Sequence, residues 1–203
     1  MEQIIQAVMD AVVRAGLVEV EVSARHVHLS QSDLETLFGP GAQLTPKRPL
    51  SQPGQYLSEQ RVTIKGAKGK KENTAVLGPV RSRTQVELSK SDCFEMGVTA
   101  PLRESGDLDG AGEITIEGPA GSLTVREGAI IAHRHIHLPP ETAAAMGVSD
   151  REHVDVEVFT ERPVTFRDVI IRVSSKFSPR MHIDFDEANA AFVSGFTLGK
   201  ILK

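Results

Sequence analysis

One cysteine, one tyrosine and no tryptophan occur in 203 residues. The lone Cys93 excludes an intramolecular disulfide framework and a Cys-based zinc finger, and it suits a reducing compartment. No apolar run approaches the ~18 residues of a membrane span, and nothing resembles a signal peptide with its cleavage site. Charge of one sign is also scarce. Lys and Arg number 23 against 27 Asp and Glu, for a net charge of −4, so bulk attraction to nucleic acid or an anionic membrane is excluded. No Walker loop occurs, and no G-x-G-x-x-G follows a strand, so the common ATP and dinucleotide signatures are missing. What remains is a soluble, cytosolic-type chain with 40% hydrophobic residues. That is ample for one large domain or two small ones.

What the chain does have is histidine, and in a pattern. Ala24-Arg25-His26-Val27-His28-Leu29 and His133-Arg134-His135-Ile136-His137-Leu138 share an Arg-His-x-His-Leu core, 109 positions apart (26 to 135). Five of the seven histidines lie in these two runs. In an extended segment the two His of a pair share one face about 6–7 Å apart, while Val27 or Ile136 faces the other way. That spacing lets both imidazoles reach one metal ion.

Each pair runs into a short helix. Ser30 is an N-cap candidate with Asp33 at the third helical position. Leu34, Leu37 and Phe38 form the buried stripe, and Gly39 ends the helix. After His137, Pro139-Pro140 open a helix that Gly147 closes. The ligand candidates therefore sit at strand-to-helix junctions, with a helix N-terminus nearby for an anion. A third copy, Val86-Glu87-Leu88-Ser89-Lys90-Ser91-Asp92-Cys93, carries no His and puts Glu87 where His28 and His137 stand. Glu87 is thus the leading carboxylate ligand. A strand over 81–87 would align Arg81, Arg83, Gln85 and Glu87 on one face, and two guanidinium forks beside a ligand carboxylate suit phosphate. Met181-His182-Ile183-Asp184 is a fourth junction, and His182 is the remaining ligand candidate. His153 reads as ordinary surface chemistry.

Elsewhere, Glu2–Ala15 reads as a helix with Ile4, Ile5, Val8, Met9 and Val12 on one stripe. It docks on the body or a second subunit, or attaches the protein to a larger assembly. Strands are expected at 17–22, 61–65, 153–159 and 164–173, with a hairpin at 113–125. The Lys-rich loop 66–71 reads equally as a solvated turn or a phosphate grip. Loop 102–112 contains Ser105. Short strands, Gly/Pro turns and brief helices argue for a mainly β fold, two related β-barrels capped by short helices. A cleft between them would collect His26, His28, Glu87, His135, His137 and His182. Six ligands exceed what one tetrahedral zinc takes, so two metals are the economical reading.

The runs Ser23-Ala24-Arg25-His26-Val27-His28-Leu29-Ser30 and His133-Arg134-His135-Ile136-His137-Leu138-Pro139-Pro140, with Arg81-Ser82-Arg83 and Met181-His182-Ile183-Asp184, resemble those of the phosphate propanoyltransferases of bacterial microcompartments. The likeness covers about 17–203. It implies a zinc acyltransferase that interconverts acyl-CoA plus phosphate with acyl phosphate plus CoA. It also implies two β-barrel domains, expected at 1–24 plus 133–203 and at 25–132, with the active site between them. His26, His28 and Glu87 would hold one zinc, and His135, His137 and His182 the other. Arg81 would bind phosphate, and Arg83 and Ser105 are assigned with it to substrate. The resemblance further implies a bacterial cytoplasmic protein in a microcompartment lumen, touching shell or cargo, and a homo-oligomer. The helix 2–15 abuts the first strand without the usual flexible linker.

The chemistry expected is direct attack of phosphate on the thioester, with no covalent intermediate on Cys93. The alternatives are a zinc-dependent acyl-CoA hydrolase or cupin-like enzyme, using His135, His137 and Glu141 as H-x-H-x-x-x-E, and a non-catalytic assembly module with structural zinc. Pro139-Pro140 makes Glu141 a helix-opening residue, which disfavours the cupin-like motif.

Overall fold

The computed structural model describes residues 2–202. The chain divides into two compact units, Met1–Ser23 with His133–Lys203, and Ala24–Ala132. Each is a six-stranded closed barrel built from short strands whose apolar residues point inward.

The first unit contains α1 (Glu2–Arg14) and β1 (Leu17–Ser23). Of the second unit's elements, those that build its barrel and site are β2 (His26–His28), α2 (Gln31–Phe38), β3 (Pro46–Pro49), β4 (Tyr56–Lys65), β5 (Lys70–Gly78), β6 (Gln85–Glu87), α3 (Lys90–Met96), β7 (Leu102–Arg103), β8 (Gly112–Glu117) and β9 (Ser122–Ala132). The first unit resumes with β10 (His135–Leu138), α4 (Pro140–Met146), β11 (His153–Val158), β12 (Val164–Val173), β13 (Arg180–Asp184), α5 (Phe185–Ala190) and β14 (Leu198–Leu202).

In the first unit the barrel order is β1-β13-β10-β12-β11-β14. In the second, β4, β5, β2, β6 and β9 run side by side, and β8 closes the ring by pairing with both β9 and β4. Strands β3 and β7 are appended at the ends. The two rings match pair for pair. The first His pair's strand β2 lies antiparallel to β6 and parallel to β5. Likewise β10 lies antiparallel to β13 and parallel to β12. β9 closes its ring parallel to β6, and β1 parallel to β13. In chain order β1 precedes β2, and β9 precedes β10. Each half of the chain thus lends its leading strand to the other half's barrel, a swap that no local pattern encodes.

Inside the first barrel Val20, Ile136, Val156, Ile171 and Met181 form the core. Val27, Ile64, Val76, Val86 and Ile116 form that of the second. Each such fully buried side chain contributes ~1.5–3 kcal/mol. The single residue between the two His of each pair, Val27 or Ile136, is fully buried in its barrel. Strand alternation therefore turns the imidazoles to the outer face.

The caps form as the sequence predicts. Ser30 Oγ accepts the Asp33 N–H at 3.2 Å, and Ser89 with Asp92 makes a full capping box ahead of α3. Gly97 and Gly147 end α3 and α4 at φ 67° and 66°, a left-handed conformation that glycine adopts without penalty.

One expectation needs correction. The strand over 81–87 shrinks to β6, Gln85–Glu87, while Arg81 makes only an isolated bridge to Ser30. Arg81 and Arg83 therefore do not share a strand face with Glu87. Part of the apolar stripe of α1 is exposed. Ile4 and Val8 are exposed, at 70% and 57%, and the Ile5 and Met9 side chains lie outside the described residues. The basic loop is a turn over 66–69 with Ala67 and Lys68 exposed, and its neighbours tie its lysines locally. The Lys68 N–H donates to Met96 O at 2.8 Å, Lys71 pairs with Asp92 and Glu95, and Lys70 with Glu72.

Candidate metal and substrate centres

The four strand-to-helix junctions place one residue each at the same offset, two positions before an N-cap. They are His28 before Ser30, Glu87 before Ser89, His137 before Pro139 and His182 before Asp184. Four positions before the cap stand His26 and His135, and, in the other two copies, Gln85 and Arg180. Antiparallel pairing then sets His26 directly opposite Glu87, and His135 opposite His182. This register assembles three ligands from two strands in each barrel. The ligand atoms of His26, His28 and Glu87 all lie within 4.8 Å of one another, as do those of His135, His137 and His182.

The first His of each pair is oriented in the same way. His26 Nδ1 and His135 Nδ1 each donate to the carbonyl two residues earlier, Ala24 and His133, at 2.8 Å. This bond places a proton on Nδ1 and turns Nε2 away from that carbonyl, toward the cluster. In the second unit His26 Nε2 lies 3.5 Å from Glu87 Oε2, and His28 Nε2 lies 4.0 Å from Glu87 Oε1. In the first unit the Phe177 ring lies against His137, centroids 4.0 Å apart. Nitrogen and carboxylate donors, converging and buried, fit a zinc-type ion.

Burial and neighbouring charge shift all three groups of the second unit's cluster. Burial alone would raise the Glu87 carboxyl, but the charge of His26 and the hydrogen bonds from His26 and Ser105 outweigh it. Glu87 is held well below the usual carboxylate range. For His26, burial pulls downward, yet the Glu87 charge and hydrogen bond prevail and its pKa is raised. Burial, with the charges of His26 and Arg81, pushes His28 well below its ordinary value. His28 is therefore a neutral imidazole ready to donate a lone pair.

Ser105 is the hub beside this triad. Its hydroxyl donates to Glu87 Oε1 at 2.7 Å and accepts from Arg81 Nη1 at 3.0 Å and from Gln85 Nε2 at 2.9 Å. Gln85 also donates to Glu87 Oε1 at 2.6 Å, and the Gly106 N–H donates to Gln85 Oε1 at 2.8 Å. Arg81 is thus joined to the carboxylate through one hydroxyl. Arg83 is exposed and lies 3.6 Å from Glu127. Sequence reasoning put Gln85 on the ligand face but assigned it no role. Its place four residues before an N-cap, where the other copies carry His26 and His135, was the available signal. Phe177 had none.

His153 is a surface residue as expected, its Nδ1 2.5 Å from Asp168 Oδ1. Cys93 is 3% exposed in the core of the second unit, which leaves no room for an acyl group. Cys93→Ala is expected to keep wild-type turnover and metal content within about twofold while lowering stability by ~1 kcal/mol. Steady-state assays and thermal melts check this, and a loss of several orders of magnitude with metal still bound would sink it.

Fold and site together define a double β-barrel with a cluster of candidate metal ligands in each barrel, three histidines in the first unit and two histidines with a carboxylate in the second. A family model for phosphate propanoyltransferase matches residues 19–194. Among curated proteins, the phosphate propanoyltransferase of Clostridioides difficile is 47% identical over 203 residues, covering 100% of this chain and 97% of the relative. That of Thermotoga maritima is 53% identical over 176 residues, 86% of this chain and 84% of the relative. That of Rhodopseudomonas palustris is 48% identical over 194 residues, 96% and 86% respectively. The chain belongs to the phosphate propanoyltransferase family and is an acyltransferase. Among the described residues no helix is long and apolar enough to cross a membrane.

Proposed function

We propose that this chain transfers an acyl group, propanoyl first, between CoA and inorganic phosphate by direct attack, with one zinc ion on each triad. The observation that carries the reading is the Arg81–Ser105–Glu87 network. It sets a guanidinium fork beside a buried imidazole–carboxylate ligand set, in a chain whose relatives are named for this reaction.

His26, His28 and Glu87 would hold one zinc, and His135, His137 and His182 the other. Zinc so bound supplies a Lewis acid for a thioester carbonyl or a thiolate. The protein's own groups do the rest. Arg81 presents planar donors that match two phosphate oxygens and orient the anion. Ser105 holds that guanidinium and steadies Glu87 with a single hydroxyl. A phosphate oxygen bonds to the acyl carbon, the carbon–sulfur bond breaks, and its electron pair leaves with the CoA sulfur. Fixing both reactants removes much of the entropic barrier. Arg83 enters the proposal only as a second guanidinium on the same segment.

The microcompartment setting and a homo-oligomeric state belong to the same proposal. The apolar side chains of Ile4 and Val8, exposed on α1, support attachment to shell or cargo.

The test is free-thiol release from propanoyl-CoA, with and without phosphate, before and after chelation and zinc restoration. Release that needs both phosphate and zinc is expected. Release without phosphate would make the protein an acyl-CoA hydrolase instead. No release from folded, zinc-loaded protein would leave a structural module.

A further inference from the structure

The arginine ahead of each His-x-His pair is the part of the repeated motif that neither ligation nor phosphate binding uses. Both copies make the same contact. Arg25 Nε donates to Asp92 Oδ1 at 2.9 Å, and Arg134 Nη1 donates to Glu187 Oε1 at 2.7 Å.

The two acids occupy equivalent positions, although Asp92 Oδ1 also lies 3.6 Å from Lys71 Nζ. Asp92 stands five residues after Glu87, and Glu187 five after His182. Each is the third residue of the helix behind the third ligand, and each closes a capping box. One carboxylate oxygen takes the N-cap backbone N–H: Asp92 Oδ2 from Ser89 at 3.4 Å and Glu187 Oε2 from Asp184 at 3.1 Å. The other oxygen takes the arginine. Acid and N-cap differ between barrels, Asp with Ser in one and Glu with Asp in the other, yet the bond recurs. The helix behind the first His pair lacks it, because Asp33 Oδ2 there takes the Thr84 hydroxyl at 2.5 Å.

The bond's position explains its use. β2 and β6 are three residues each, so few ladder bonds hold His26 opposite Glu87. Because the strands are antiparallel, Arg25 at the start of β2 faces the chain leaving β6. A charge-assisted bond there is short and directional. Its acid is 7% exposed in the side chain and already fixed by the capping box. In the first barrel Arg134 is held further, its Nε donating to Arg167 O at 2.7 Å and its guanidinium lying 5.7 Å over Phe166.

We infer that Arg25 and Arg134 are positioning residues, each clamping its His-pair strand to the strand of the third ligand and so setting the geometry of the metal triad in its own barrel. This rests on the metal reading above. A triad tolerates only about 0.2 Å of ligand displacement, so loss of the clamp loosens the site without removing a ligand.

The experiment uses the full chain with zinc and with cobalt(II) as a spectroscopic probe. Chelator competition on R25Q is expected to show one of two zinc sites weakened ~10–100-fold, the size seen for groups that orient ligands, with the other unchanged. R134Q is expected to weaken the complementary site. The visible cobalt band of the affected site should shift, and R25K should recover most of the affinity. In a double-mutant cycle, R25Q and D92N should not add. A merely structural arginine would lower the melting temperature yet leave both affinities within about twofold and the cobalt spectrum unchanged. That result, with wild-type protein holding two zinc ions, overturns the clamp alone. Wild-type protein that takes up no zinc overturns the clamp and the metal reading together.

Discussion

Glu87→Ala is expected to remove one of the two zinc ions and to lower kcat/KM for acyl transfer by about 10³-fold or more, the scale of losing a metal that polarises the reacting group. Glu87 is the only carboxylate in either triad, and it faces His26 at 3.5 Å. Its Oε1 also receives Ser105 and Gln85. Truncation therefore removes the acceptor of the half-buried Ser105 hydroxyl and one acceptor of the buried Gln85 amide, at ~1–3 kcal/mol for a donor left unpaired, so folding must be checked beside activity. Glu87→Gln keeps the shape and separates the causes. Removing the charge leaves burial, which lowers the His26 pKa, opposed only by the Ala24 carbonyl. His26 should then titrate below its wild-type value in metal-free protein, read by NMR. Full zinc content and full activity in Glu87→Ala would refute the ligand assignment.

Arg81→Met is expected to raise KM for phosphate at least ~10-fold and to cut kcat/KM for phosphate by about 10²–10³, typical of losing one preorganised donor to developing charge. KM for propanoyl-CoA and zinc content should hardly change. The reason is topological. Arg81 reaches the triad through Ser105 and contributes no ligand. Its positive charge helps hold His28 neutral, so the variant should also bring His28 part of the way back toward its ordinary pKa. Arg81→Lys keeps charge but loses the planar fork, and should recover only part of the phosphate affinity. Equal losses for both substrates accompanied by loss of zinc would show that Arg81 supports the ligand set instead of the anion.

Much of the candidate site was legible because its determinants are local. Alternation over three residues put Val27 and Ile136 inward and the His pairs outward. Ser30 announced its helix through N-capping, a matter of three residues, and the structure shows Ser89 and Asp184 capping theirs in the same way. Gly97 and Gly147 ended theirs through a backbone conformation other residues avoid. A shared offset from the N-cap identified Glu87 as the counterpart of His28 and His137, and the same offset holds at His182. The expectation that failed at Arg81 failed for a local reason misjudged. The segment 81–84 leaves the sheet to bridge Ser30, so side chains that alternate on paper point along a loop.

What the tertiary structure decided lies at longer range. β1 joins the barrel of the C-terminal strands and β9 that of the N-terminal ones, a choice made by which exposed edge each strand meets. Arg25 meets Asp92 across 67 residues and Arg134 meets Glu187 across 53, pairings that depend on antiparallel register between strands far apart in the chain. Ser105 became the hub of the substrate network only because its loop returns to β6. The sequence by itself determined which residues can ligate and on which face of which short strand they stand, since strand alternation and capping act over two to four positions. Barrel closure decided which three candidate ligands converge and which arginines bond to the helices behind them, since both follow from strands meeting through non-local packing of their buried faces.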